Sequence, residues 1–285
     1  MRHFPKLLTI KSSKLVNNNT GDFMKNKLNL YTDLIEEGNH KFKKSIRNKY
    51  KDIEIISSKY NNYDYTTIYF NDISNSNSYL LLEKVLVKEL KKYIKISSND
   101  NILVVGLGNE ESTPDSLGPK TIDNILVTRH LKILNVLNDN YASVSIFKPS
   151  VIGDTGLESI KLIKSISKDI KATKVIVIDA LKASKINRLL KTIQITNSGM
   201  HPGSGINNDR GELSKKTLNI EVIAIGVPTV VDIKTIINNL IKEDIYLDTN
   251  LILTPTDINY QINILSKLLG ESINKSLHKR LYPTK

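Results

Sequence analysis

Lys174-Val175-Ile176-Val177-Ile178-Asp179-Ala180-Leu181 is the stretch whose reading decides the fold. Its four consecutive β-branched apolar residues show no polar alternation. The strand they predict is therefore covered on both faces, as in a parallel sheet. Working outward, Ile102-Leu103-Val104-Val105-Gly106 and Glu221-Val222-Ile223-Ala224-Ile225-Gly226 read the same way. Weaker strand signals lie at 142–147 and 190–196. Residues 53–57 and 65–70 predict a small N-terminal hairpin.

Helical periods separate these strands. One covers 79–95, capped from 75–78, with Leu82, Val85, Leu86, Leu90, Tyr93 and Ile94 on one face. Others are expected over 120–128, over 156–168 with Thr155 as N-cap, and over 232–242. A long helix follows Pro255, with Thr256 as its cap and Ile258, Ile262, Leu265, Leu269 and Ile273 as its stripe. Strands alternating with helices of this length predict an α/β fold: a mostly parallel twisted sheet with helices on both faces.

Composition narrows the function. The 285 residues contain no cysteine, which excludes disulfide frameworks, thiolate catalysis and Cys-ligated metal centres. No apolar run approaches the roughly 20 residues needed to cross a bilayer, and the first 13 residues lack a secretory apolar core. A cytosolic location is the default expectation. Net charge is +12, and residues 1–50 hold 11 Lys/Arg against 4 Asp/Glu. A basic excess attracts nucleic acid or acidic partners. Here it accompanies a Lys/Asn/Ile-rich composition and no nucleic-acid-binding motif, so a solvated basic extension over 1–30 accounts for it. Direct nucleic-acid binding is not expected.

In sheets of this class the functional crevice lies beyond the carboxyl ends of the strands. Three segments are expected there as loops: 106–119, 179–181 and 226–232. Asp179 ends a fully apolar strand, where a carboxylate is costly unless paired or hydrogen-bonded. Asp115 sits in a loop bounded by Gly and Pro. Together they could share a proton, one acting as acid and the other as base on water. Each also has a plain structural alternative, Asp115 as a turn or N-cap residue and Asp179 as a strand-end cap. The Gly-rich loop Met200-His201-Pro202-Gly203-Ser204-Gly205 could hold a substrate backbone or a developing oxyanion through Gly203, Ser204 and Gly205. It lacks the P-loop ending, and Gly106-Leu107-Gly108 fails the dinucleotide fingerprint at Glu111. No His pair has metal-ligand spacing and no nucleophile elbow is present.

Taken in order, VVGLGN at 104–109, TPDSLGP at 113–119, VTRH at 127–130, VIGDTGLE at 151–158, VIVIDAL at 175–181, MHPGSG at 200–205, IAIGVPTVVD at 223–232 and ILTPTDIN at 252–259 resemble the germination protease family of spore-forming Firmicutes. SLH at 276–278 extends the resemblance, which covers roughly residues 30 to 280. It implies an atypical aspartic endopeptidase that degrades small acid-soluble spore proteins, with a fold similar to the hydrogenase-maturation peptidases. The family's catalytic aspartates fall on Asp115 and Asp179, with no metal or other cofactor. The resemblance further implies a zymogen located in the forespore or spore core. Residues 1–33 would be a self-removed propeptide, cut between Asp33 and Leu34, preceding a single peptidase domain over 34–285. It also implies a homotetramer and no membrane association. Two departures stand out. The chain is short for the family before Leu251, and its N-terminal extension is basic. The competing readings are a metal-dependent maturation-type peptidase and a non-catalytic module that binds spore protein or DNA.

Overall fold

The computed structural model describes residues 32–38, 42–200, 212–241 and 251–279. In chain order the strands are β1 (Lys44–Tyr50), β2 (Ile53–Tyr60), β3 (Tyr63–Tyr69), β4 (Asn101–Gly106), β5 (Ser143–Phe147), β6 (Lys174–Ala183), β7 (Thr192–Thr196), β8 (Glu221–Asp232) and β9 (Ile252–Leu253). The helices are α1 (Ser76–Ile94), α2 (Leu117–Ile122), α3 (Arg129–Ile133), α4 (Ile152–Thr155), α5 (Ser159–Asp169), α6 (Lys215–Leu218), α7 (Ile233–Ile241) and α8 (Ile258–Leu277). Short 3-10 turns cover Ile35–Glu37, Thr113–Asp115 and Ile186–Arg188.

All nine strands join one sheet in the order β1-β2-β3-β7-β8-β6-β4-β5, with β9 on the far end of β8. The α/β class is as expected: β5, β4, β6 and β8 run parallel and form one end of the sheet. Side-chain parity explains why these strands read as unbroken apolar runs. Ile102, Val104, Ile176, Ile178, Ile223 and Ile225 point to one face and pack with α1, α2 and α8. Leu103, Val105, Val175, Val177 and Val222 point to the other and pack with α5 and α6. Both faces are dry, so neither parity can be polar.

The hairpin of β2 and β3 forms as expected, but it is no separate region. Strand β3 pairs antiparallel with β7, and β7 with β8, so the hairpin extends the main sheet as an antiparallel wing. The sheet is therefore mixed. Its outermost strand, β1, has no sequence signal because all seven of its residues are exposed. Backbone pairing to β2 alone makes it a strand, and Lys44, Arg47 and Lys49 protect its open edge from further pairing.

Several boundaries differ from expectation. Gly156 adopts a left-handed conformation, φ 70°, and closes α4, so Thr155 ends one helix and α5 begins only at Ser159. Helix α2 starts at Leu117 and stops at Ile122. The α8 stripe is buried as predicted, with Asp257 rather than Thr256 at its N-cap. No helix of the described residues is long and apolar enough to cross a membrane.

A third, smaller apolar cluster lies past the carboxyl ends of the parallel strands. It joins Leu34, Leu181, Ala183, Leu189 and Val231. Among the described residues, the members of the three clusters begin at Leu34.

Candidate functional site

Strands β5 and β6 leave β4 on opposite sides, which creates a topological switch point beside the end of β4. Strand β4 stops at Gly106, paired to Ile178. Asp179 is therefore the first residue of β6 beyond the end of β4. It does not end a strand, as the sequence suggested: β6 continues to Ala183 because β8 continues beside it. The expected loops at 179–181 and 226–232 are strand for the same reason. A register shift lets Leu181 face Pro228 and Lys182 face Val230, leaving Thr229 as an extra residue. Such a bulge suits Pro228, which has no N–H to donate.

The loop after β4 is fixed by glycine. Leu107 N–H donates to the Ile178 carbonyl at 2.8 Å, carrying the chain across the switch point. A Cβ on Gly118 would collide with the Leu107 carbonyl oxygen and lie 2.7 Å from that of Ile178. Gly108 takes φ 111°, and a Cβ there would overlap the main chain of Asp115. The loop thus folds back on its own strand, and the 3-10 turn Thr113–Asp115 lies against β6, β8 and α8.

Within that turn the Asp115 N–H donates to the Ser112 carbonyl at 2.8 Å. The Asp115 carboxylate accepts the Asn109 N–H at 2.8 Å, so it braces the turn that carries it. Asp179 is 6% exposed, and its carboxylate accepts the Ala180 N–H at 2.9 Å. Asp179 faces Gly226 on β8, and Gly226 faces Gln194 on β7, so the three form one row across the sheet. The aspartate pair is thus carried by elements that meet at one switch point. Gly203, Ser204 and Gly205 lie outside the described residues. The base of their loop is described: Met200 and Leu213 exchange hydrogen bonds of 2.9 and 2.8 Å.

Over the same row lies a segment that sequence reasoning placed only as a processing region. Asp33 N–H donates to the Lys182 carbonyl at 2.9 Å, and the Asp33 carboxylate accepts the Lys182 N–H at 2.7 Å. The Gln194 amide grips the segment twice. Its Nε2 donates to the Asp33 carbonyl at 3.2 Å, and its Oε1 accepts the Ile35 N–H at 2.8 Å. Ser58 on β2 donates to Glu36 at 2.7 Å. Residues 32–37 therefore form a strap from β6 across β7 to β2. A cavity of about 230 Å³ opens beneath it, lined by Asp33, Leu181, Gln194, Met200, Ala224 and Gly226.

Gln194, Lys182 and Glu37 went unread in the sequence. The one local signal was a glutamine inside the short strand Thr192-Ile193-Gln194-Ile195-Thr196. Asp232, read as a helix start, caps α7 through the Lys234 N–H and pairs with Lys182 at 3.5 Å. Among the described residues, no three His, Asp or Glu side chains are grouped to hold a metal ion. His278, at the end of α8, is structural. It accepts the Ala142 N–H at 3.2 Å, and burial pushes its pKa down to about 4.

Comparison with known proteins identifies the family. The sequence model of the family described as germination protease matches residues 35–245. The germination protease of Clostridium tetani is 42% identical over 204 residues, covering 71% of this chain and 62% of that protein. That of Clostridium acetobutylicum is 38% identical over 239 residues, covering 70% and 73%. That of Bacillus subtilis is 49% identical over 150 residues, covering 52% and 41%, so this chain matches well under half of it. Among solved structures, the NiFe hydrogenase maturation protease HycI of Thermococcus kodakarensis aligns with a TM-score of 0.36 at 16% identity, covering 65% of this chain and 98% of that one. On the family match and these identities, the chain belongs to the germination protease family.

Proposed function

We propose that this chain is an endopeptidase of spore germination that cuts small acid-soluble spore proteins, with Asp115 and Asp179 as its acid–base pair. The observation that carries the reading is the switch point. The turn bearing Asp115 lies against β6, and Asp179 is the first β6 residue past the end of β4. One carboxylate takes a proton from water as the oxygen attacks the scissile carbonyl. The other, protonated, gives its proton toward the carbonyl oxygen, and the amine leaves with a proton from the first. Two carboxyls sharing a site titrate as a pair, so the pH profile belongs to the dyad and not to either residue. Gly203, Ser204 and Gly205 are proposed to donate main-chain hydrogen bonds to the developing oxyanion.

The same reading makes residues 1–33 a propeptide, removed between Asp33 and Leu34 by the enzyme itself. The strap supports it, since it holds this bond over the row that contains Asp179. A homotetramer, a spore-core location and independence from metal complete the proposal by family resemblance.

The test is cleavage of a small acid-soluble spore protein by the full chain and by a chain beginning at Leu34, each with and without Asp179→Asn or Asp115→Asn. Either substitution is expected to lower the rate by roughly 10²–10⁴-fold. Full activity in both variants would sink the dyad. Activity that a chelator removes and added metal restores would replace it with metal-assisted hydrolysis.

A further inference from the structure

Among the described residues, Glu37 is a buried carboxylate without a cation. It is 8% exposed and forms no ion pair among the described residues. Its Oε2 accepts the Thr32 hydroxyl at 2.6 Å and the Ser184 N–H at 2.6 Å. Its Oε1 is fully buried and has no hydrogen-bond partner. The Arg188 guanidinium stacks over the Tyr69 ring at 3.8 Å. A buried carboxylate left with an open oxygen is costly, and the site is incomplete as it stands.

What stands next to it is the main-chain nitrogen of Leu34. Leu34 N–H donates to Thr32 Oγ1 at 3.1 Å, and that same hydroxyl donates to Glu37. One hydroxyl group is thus the whole distance between this nitrogen and the carboxylate. Leu34 itself is pinned independently of what precedes it. Its side chain is 1% exposed in the third apolar cluster, its carbonyl accepts the Glu37 N–H at 3.0 Å, and the next N–H, that of Ile35, is held by Gln194.

We infer that Glu37 is the receptor for the α-ammonium group of Leu34 created when the Asp33–Leu34 bond is hydrolysed. The inference rests on the processing reading above. Water adds to the Asp33 carbonyl and the C–N bond breaks. Asp33 leaves with a new α-carboxylate, and the Leu34 amine takes up a proton from solvent. Thr32 leaves with the propeptide, which empties the position between the two groups. The ammonium brings three donors where the peptide N–H had one, and it reaches both Glu37 oxygens. A hydrogen-bonded ion pair replaces a half-satisfied carboxylate. Because Glu37 also holds the Ser184 N–H, just past the end of β6, the pair fixes the tail of the strand that carries Asp179. Glu37 is thus a positioning residue.

The experiment measures how fast the Leu34 amine is acylated by an amine-reactive ester in the native protein, read by peptide mass mapping. The full chain is allowed to process itself, and its new N-terminus is sequenced. In parallel, a fusion is cut by an external protease so that Leu34 becomes the first residue; this retains every residue of the described core. Glu37→Gln is compared in both, with the melting temperature of the uncut chain as the folding control. The glutamine oxygen can still accept from Ser184 and Thr32. Wild-type amine is expected to react about tenfold more slowly than in Glu37→Gln, as a one-unit rise in the amine pKa dictates. Equal reactivity would overturn the inference. Self-cleavage at another bond would refute the processing reading, while the externally released Leu34 chain would still report on Glu37. Should Glu37→Gln fail to fold, a fusion leaving one extra glycine before Leu34 moves the amine out of register and must raise its reactivity equally.

Discussion

The switch-point crevice and the strap belong to one sheet, yet they are held by different means. The crevice is main chain against main chain. Leu107 bonds Ile178, and glycines at 108 and 118 allow approaches that any side chain would block. The strap has one main-chain bond, from Asp33 N–H to the Lys182 carbonyl, and otherwise rests on side chains, with Gln194, Glu37 and the Asp33 carboxylate each gripping a backbone group. Main-chain packing fixes carboxylates to the precision that chemistry needs. Side-chain clamps can be released when a segment is cut. On the proposed processing, one region stays as it is and the other changes once.

The largest expected effect separates the two directly. Asp179→Asn and Asp115→Asn should lower peptide cleavage by roughly 10²–10⁴-fold while moving the melting temperature by no more than about 3 °C. A large drop in melting temperature would mean that the aspartates act as structural caps. Gly118→Ala comes next. Its methyl group must displace Leu107 or Ile178, which should cost about 1–3 kcal/mol and, by moving the Asp115 turn, on the order of 10² in rate. Retention of full rate would show that the crevice is softer than its glycines imply.

A pH measurement sets the baseline for both regions. His278 lies outside them, and its folded pKa of about 4 is below its ordinary 6.5. The unfolded chain binds the proton first, so His278 contributes full stability above pH 6.5. That contribution falls away as the pH drops toward 4, by roughly 3 kcal/mol in all. His278→Gln should flatten this slope in urea unfolding. Any acid loss of activity that persists in that variant belongs to groups other than His278. The smallest effect tests the strap. Gln194→Ala strips partners from the Asp33 carbonyl and the Ile35 N–H, about 2 kcal/mol in the uncut chain. In the processed chain only Ile35 is affected, and the loss should fall to about 1 kcal/mol. Equal losses would mean that the Asp33 carbonyl finds water instead.

The crevice was also far more legible than the strap. Unbroken apolar runs at 102–105, 175–178 and 222–225 predicted doubly covered strands, and the loop after the first of them held Asp115 between Gly and Pro. Asp179 stood out as a charge following such a run. The strap offered no comparable pattern. Its partners are 147 residues apart for Glu37 and Ser184, 149 for Asp33 and Lys182, and 159 for Ile35 and Gln194. No period of two or 3.6 residues reaches that far.

By itself, then, the sequence determined the α/β class, the strands buried on both faces and the loop after the first of them that carries Asp115. These follow from burial parity and turn chemistry, which act over a few residues. Tertiary structure decided how far β6 and β8 run, because each extends only while the other pairs with it. It made β1 a strand through backbone pairing without any burial, and it turned a predicted hairpin into one wing of a mixed sheet. It alone brought Glu37 to the Ser184 N–H, 147 residues away, because a buried carboxylate's distant partners are set by where the chain returns in space.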